Sequence, residues 1–390
     1  MKKLVCFILC IYIIFSLNLN IFADNGIYNE AEDVIKDAPE LNIKAKSAVL
    51  MDAETGALLY SKNPNEALPP ASVTKIMTLL LVMEAISDGS VKLEDKVFVS
   101  GNAAEKGGSQ IFLEEGEEIT VHDLLKSTII ASANDCAAAL AELVSGSENA
   151  FVDKMNKRAL ELGLKNTVFE NCTGLDDTVS NHVTSAYDIA LMSRELIKYD
   201  IVLQYSSLWQ DTVRGGAFTL TNTNRLVRYY SGCTGLKTGS TDNAGFCVSA
   251  TAKRNGLHLI AVIMGAETKE DRNEGARCLL DYGFSTYSLY SENFGEVEPI
   301  PVTYSKMRST ISYCKGIKLL VGKGDALKIE KKYELPDSIT APLSKGAVIG
   351  QVKYYLDEKE IGSAEIYIDE DLERLSVFDI FLEIINGIFV

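Results

Sequence analysis

The stretch that most constrains this chain is SVTKIMTLLLVMEAIS at residues 72–87, which follows Pro69-Pro70, a helix start signal. Its residues are apolar on nearly every side. A helix built from them has no face to give to water, so it must be central and buried, with other elements wrapped round it. Lys75 lies in its first turn, so the fold must take an ammonium group to the edge of its core.

The flanking patterns supply the wrapping. SAVLMDAETGALLYSKN, from Ser47, has two apolar runs around Glu54-Thr55-Gly56 and predicts a hairpin. Stretches 121–131, 134–146, 149–163 and 185–198 have helical spacing, with Gly, Asn and Ser breaks between them. Residues 216–265 change to β character, and a further helix is predicted at about 270–283. Helix and strand runs around an antiparallel sheet predict a mixed α/β (α+β) layer domain with a helical insertion over residues 43–290. Past Glu298-Pro-Ile-Pro301 the runs are short and β-rich, which predicts a small separate β domain at 296–370. The end, 371–390, returns to helical spacing. Leu372, Leu375, Phe378, Phe381, Leu382, Ile385 and Phe389 share one side, so an amphipathic helix lying on a membrane surface is expected. Its polar side is acidic, so hydrophobic burial would have to carry that binding.

Residues 1–23 have two lysines, an apolar run from Leu4 to Phe15, and Ala23 before Asp24. That is the layout of a cleaved export signal, and residues 24–42 then read as a polar lead-in. Export would put the bulk of the protein outside the cytoplasm. The net charge of −16 repels phosphate backbones and argues against nucleic-acid binding. Three histidines, His122, His182 and His258, form no HExxH, and no Cys/His set has zinc-finger spacing. Of eight cysteines, Cys6 and Cys10 leave with the signal. The rest sit mostly in apolar stretches and read as buried thiols, with Cys233–Cys247 the one pair worth testing as a disulfide.

Three short motifs carry possible chemistry. Ser72-Val-Thr-Lys75 puts a hydroxyl and an amine one helical turn apart, on one face. Burial disfavours the ammonium, and a neutral amine can take the serine proton. Ser312-Tyr-Cys-Lys315 has the same spacing but lies in a β-rich segment, where the two side chains point to opposite sides. Ser-x-Asn occurs six times; Ser132-Ala-Asn134 stands out because it interrupts the apolar run STIIASANDCAAALAEL. Lys237-Thr238-Gly239 is the only KTG, set in a β stretch, where a strand edge could meet an extended peptide and the glycine would allow close approach.

In this order, at 72, 132 and 237, the three resemble the motif set of the active-serine penicillin-recognising enzymes. More narrowly, the chain resembles the low-molecular-mass penicillin-binding proteins that are D-alanyl-D-alanine carboxypeptidases. MDAETGALLYSKNPNEALPPASVTKIMT, GGSQIFLEEGEEITVHDLLKSTIIASANDCAAALAE and GLKTGSTDNAGFCVSATA carry the resemblance, with FENCTGLDD and HVTSAYDIALMSREL between them. The β-rich segment and the amphipathic end resemble, less specifically, the family's C-terminal domain and membrane anchor.

The resemblance implies a β-lactamase/transpeptidase-like domain, its antiparallel sheet covered by helices, with a helical subdomain and a small all-β domain after it. It implies Ser72 as nucleophile, Lys75 as its base, and Ser132 as relay of a proton to the departing D-alanine. Asn134 would hold the substrate amide, and Lys237 would help keep Lys75 neutral. Backbone N–H groups of Ser72 and Ser240 would form the oxyanion hole. Lys237, Thr238 and Arg272 would receive the substrate carboxylate. Ser240 stands where some relatives carry His. The expected partners are stem peptides ending in D-Ala-D-Ala, β-lactams as covalent inhibitors, and a membrane surface; no metal or organic cofactor is required, and a monomer is expected. The nearest alternatives are a D,D-endopeptidase, a β-lactamase and a non-catalytic β-lactam sensor. The E-x-x-L-N pattern of a class A-like β-lactamase does not occur between Ser132 and Lys237, and no GxSxG suggests a Ser-His-Asp hydrolase.

Overall fold

The computed structural model describes residues 40–388 apart from Thr178. The export signal expected at 1–23, most of the lead-in, Cys6, Cys10 and Phe389 lie outside the described residues.

The hairpin around Glu54-Thr55-Gly56 forms as β1 (Ser47–Asp52) and β2 (Leu58–Lys62). Asp52 closes the turn by accepting from the Thr55 N–H and hydroxyl, and Gly56 takes φ +76°. Strands β3 (Cys233–Thr241), β4 (Gly245–Arg254) and β5 (Leu257–Ala266) complete an antiparallel sheet in the order β2-β1-β5-β4-β3. The KTG strand β3 is therefore an edge, paired within the sheet only to β4.

The apolar stretch forms a 3-10 turn, Ala71–Thr74, running into helix α1 (Lys75–Ser87), with ten of its thirteen residues buried. Around it stand α2 (Val121–Ile130), α3 (Asn134–Ser145), α4 (Glu148–Glu161) and α5 (Ala186–Leu196). Thr120, Ser147 and Ser185 cap α2, α4 and α5 by accepting a first-turn N–H. α5 packs between α1 and the sheet, where Ser193 and Ser249 share a hydrogen bond of 2.8 Å. On the opposite face lies α6 (Lys269–Thr286), whose Ala276, Leu279 and Leu280 join Leu50, Leu259 and Ile263 in the core. The chain is thus a mixed α/β (α+β) fold, an antiparallel sheet between helices with a helical subdomain.

The β-rich part begins at β6 (Tyr287–Glu292), which follows α6 without a break and pairs with β7 (Ile317–Gly322). A six-stranded sheet follows within residues 295–368. The C-terminal helix, α7, spans Val377–Ile388 and starts later than the pattern from 371 predicted. Leu372 explains the difference. It is buried with Ile300, Val302, Ile339 and Ile368 and pairs its backbone with Leu343, so 371–376 is held as extended chain.

All six cysteines among the described residues are free. In the β3–β4 register Cys233 faces Ala252 and Cys247 faces Gly239. That separates the suggested pair by about 20 Å along the ladder, beyond disulfide reach.

Candidate active site

Three distant stretches meet where α1 begins. Lys75 Nζ donates to Ser72 Oγ (3.0 Å), to Asn134 Oδ1 (2.5 Å) and to the Thr173 carbonyl (2.7 Å). Lys237 Nζ donates to Ser132 Oγ (2.8 Å) and to the Thr238 carbonyl (2.9 Å). Two serines, each with a buried lysine against its oxygen, thus face one cleft.

Local structure aims each group. The 3-10 turn puts Ser72 beside Lys75. Ser132, between α2 and α3, takes φ +62°, unusual for a residue with a side chain, and its hydroxyl meets Lys237. Asn134 opens α3; its N–H donates to Ser109 O (2.7 Å) and its amide to Gly107 O (2.7 Å), which orients Oδ1 toward Lys75. Gly239 shows why a glycine stands in the KTG strand. A Cβ there would lie 2.7 Å from Ser72 N and 2.9 Å from both Pro70 O and Val73 N. Backbone meets backbone here, so no side chain can swing aside. Gly239→Ala is expected to lower the rate of acylation by penicillin about 10-fold or more, read by stopped-flow or gel label, because the edge strand must back away from Ser72.

A family model for D-alanyl-D-alanine carboxypeptidase matches residues 33–268, and one for the C-terminal domain of penicillin-binding protein 5 matches 284–374. The chain belongs to the D-alanyl-D-alanine carboxypeptidase family. Over 347 residues it is 44% identical to the D-alanyl-D-alanine carboxypeptidase DacF of Bacillus subtilis, a match covering 87% of this chain and 88% of that one. It is 33% identical to DacC of Escherichia coli over 353 residues, covering 86% of each. Among solved structures, penicillin-binding protein 5 of Haemophilus influenzae aligns with TM-score 0.73 at 33% identity, covering 86% of this chain and 99% of that one. The ampicillin-bound penicillin-binding protein D2 of Listeria monocytogenes aligns with TM-score 0.58 at 32% identity, covering 63% and 100%. Membership makes the protein a hydrolase, a serine-type D-alanyl-D-alanine carboxypeptidase.

In this carboxypeptidase, burial sets the charge state of the cleft. Lys75 is fully buried, and desolvation pulls it from 10.5 down to about 7, against an upward pull from Cys172, Asp135 and Cys136. Burial also takes Lys237 well below its ordinary value, and the charges of Lys75 and Arg272 push it the same way. The sequence pointed to burial of Lys75 with help from the Lys237 charge; burial is the leading cause, and Lys237 is not among the charges that act on Lys75.

The remaining expected residues fall around the same cleft. Thr238 is buried and donates to Thr223 Oγ1 (2.8 Å). Ser240 is exposed at the open end of β3, opposite Phe246. Arg272, on α6, is buried, holds Asn273 Oδ1 through Nε (3.1 Å) and Nη2 (3.0 Å), and is lowered to about 10 by burial. Its charge reaches Lys237, which sets it near the strand. Ser312 and Lys315, set aside from sequence, lie in the C-terminal domain, where Lys315 binds Glu365.

Several participants escaped the sequence. Thr173 acts through its carbonyl, which any residue could supply. Asp135 is fully buried and accepts from the N–H groups of Ile111 and Leu113 (3.1 Å each), tying the 107–113 loop to α3. His182 lies under the nucleophile turn. Glu170 N–H donates to its Nδ1 (2.9 Å), so the ring proton is on Nε2 and goes to Thr74 Oγ1 (2.7 Å), which in turn donates to Ala71 O (2.8 Å). Burial lowers His182 to about 4, which keeps it neutral in this role. Ala71 takes φ +48°, so this chain of bonds braces a strained residue directly before Ser72.

Proposed function

We propose that Ser72 is the nucleophile that removes the terminal D-alanine from peptidoglycan stem pentapeptides, through an acyl-enzyme. The observation that carries this reading is the buried Lys75 amine, 3.0 Å from Ser72 Oγ and lowered to about 7. The neutral amine takes the Ser72 proton as Oγ attacks the carbonyl between the two D-alanines. Ser72 and Ser240 N–H groups receive the oxyanion; losing one such donor typically costs about 10²–10³ in rate. The C–N bond breaks as the proton taken up by Lys75 passes by way of Ser132 to the departing nitrogen, which leaves Lys75 neutral again, while Lys237 holds Ser132 in place. Free D-alanine leaves with its carboxylate released from Lys237, Thr238 and Arg272. Water then attacks the ester, its proton going to the Lys75 amine and on to Ser72 Oγ as the ester C–O bond breaks, so Ser72 and the neutral amine are both regenerated. Asn134 holds the peptide amide on the far wall, and Gly239 lets the edge strand approach closely enough to pair with the substrate backbone.

A β-lactam offers a comparable amide and would leave Ser72 acylated. We further infer that the mature chain works outside the cytoplasm. The signal pattern at 1–23 supports export. Helix α7 supports membrane attachment, since it exposes Phe378, Phe381 and Leu382 at i, i+3 and i+4. No described helix is long and apolar enough to cross a membrane.

The test measures D-alanine release from a stem pentapeptide alongside hydrolysis of penicillin. Multiple-turnover release of D-alanine with slow penicillin turnover is expected. Fast penicillin hydrolysis without D-alanine release would identify a β-lactamase, and penicillin uptake without either turnover would identify a sensor.

A further inference from the structure

One residue beside the cleft is strained without packing to justify it. Phe112 has φ +60° and leaves 67% of its surface exposed. A bulky side chain in this backbone region is an outlier that must be held in place. It is held from three directions. On either side, Ile111 and Leu113 are buried, and their N–H groups both go to the Asp135 carboxylate. Arg214 donates to the carbonyls of Ile111 (2.9 Å) and Phe112 (3.2 Å) and is itself fixed by Glu117 at 2.8 Å through Nε and Nη2. Four backbone polar groups around Phe112 are thus pinned, while its side chain stays exposed and meets one aromatic neighbour. That neighbour is Phe218, edge-on at 6.5 Å between centroids, with the Arg214 guanidinium 5.9 Å from the Phe218 ring.

The two rings come from segments bound to opposite walls of the cleft. The Phe112 loop reaches Asn134 through the Ser109 and Gly107 carbonyls. The Phe218 strand, Phe218–Thr221, leads to Thr223, whose hydroxyl accepts from Thr238 of the KTG strand. The pair therefore joins the Asn134 wall to the Thr238 wall. Arg214, the cation at this spot, is already neutralised by Glu117. The surface offered is apolar.

We propose that Phe112, backed by Phe218, is a specificity-determining residue that packs against the side-chain methylenes of the substrate residue immediately before the two D-alanines. This rests on the reading of Ser72, Asn134 and Lys237 as the catalytic cleft. The charged end of such a side chain stays in water while its stem covers the ring.

The test compares D-alanine release from Nα,Nε-diacetyl-lysyl-D-Ala-D-Ala with release from N-acetyl-glycyl-D-Ala-D-Ala, which lacks the side chain. Phe112→Asn removes the ring with a residue that tolerates positive φ, and Phe112→Tyr keeps the ring. The wild type is expected to prefer the lysyl peptide. Phe112→Asn should cut that preference about 5- to 10-fold, mainly through KM, while Phe112→Tyr retains it. An equal fall for both peptides would mean that Phe112 only holds the Asn134 loop and would overturn the proposal, as would an unchanged preference or none in the wild type. Penicillin labelling of Ser72 separates the premise: a wild type that neither labels nor releases D-alanine overturns the cleft assignment itself.

Discussion

Alanine at Ser72 is expected to give a folded protein that takes up no penicillin. Intact-mass measurement should find one added acyl group on the wild type and none on Ser72→Ala, with D-alanine release down by about 10⁴-fold or more. The size of the effect follows from the geometry. Ser72 Oγ is the acceptor of the Lys75 bond in the cleft, and the second serine, Ser132, is instead matched to Lys237. Neither lysine has a second hydroxyl to activate. The fold has little reason to suffer, because Ser72 lies at the start of α1 and is only partly buried. An adduct on Ser72→Ala at normal rate would remove the nucleophile assignment; an adduct on Ser132 instead would reverse the roles of the two pairs.

The second large effect belongs to Lys75. Lys75→Gln keeps a polar group of similar length but has no amine to take a proton, and acylation is expected to fall by about 10²–10⁴. The pH profile carries the mechanism. The active form is the neutral amine, and burial sets Lys75 near 7. Acylation should therefore rise with pH through about 7 and level off above it. Below that point the rate should fall about tenfold per pH unit, as the neutral fraction does. In Lys75→Gln the break should vanish. The same group bears on stability in a stated direction. Its folded value, about 7, lies below the unfolded 10.5, so between these the unfolded chain binds more protons and the contribution to stability rises with pH. Its destabilising effect is complete below 7. Circular dichroism across the range separates lost rate from lost structure. A flat acylation profile between pH 5 and 9 would mean that the amine is not the base.

The sequence was legible where side chains carried the message. The all-round apolar run could only be α1, and helical spacing set α2 to α5 within two residues at either end. The Ser72–Lys75 spacing, the break at Ser132–Asn134 and the single KTG were chemical patterns, and they converge within hydrogen-bond distance. What stayed hidden was carried by backbone or by tertiary context. Thr173 contributes a carbonyl, and His182 a tautomer fixed by the Glu170 N–H. The late start of α7 escaped because Leu372 fits an apolar helix face as well as the β-domain core that takes it. Cys233 and Cys247 could be judged as a pair only once the strand register put them at opposite ends of one ladder. The cause of the low Lys75 value was half legible. The lysine belonged to a buried helix, but how deeply it was enclosed, relative to the Lys237 charge, needed the assembled core.

The groups at the centre of the cleft come from positions 72, 132–134, 173 and 237, and the cleft exists only where these distant segments bond to one another. No fragment and no partly ordered intermediate can assemble them. Covalent capture of an antibiotic by this chain is therefore a census of fully native molecules. Any stress that loosens one wall, whether at the sheet edge or in the helical half, should silence the whole population in step with cooperative unfolding, without a dimmed but working form in between.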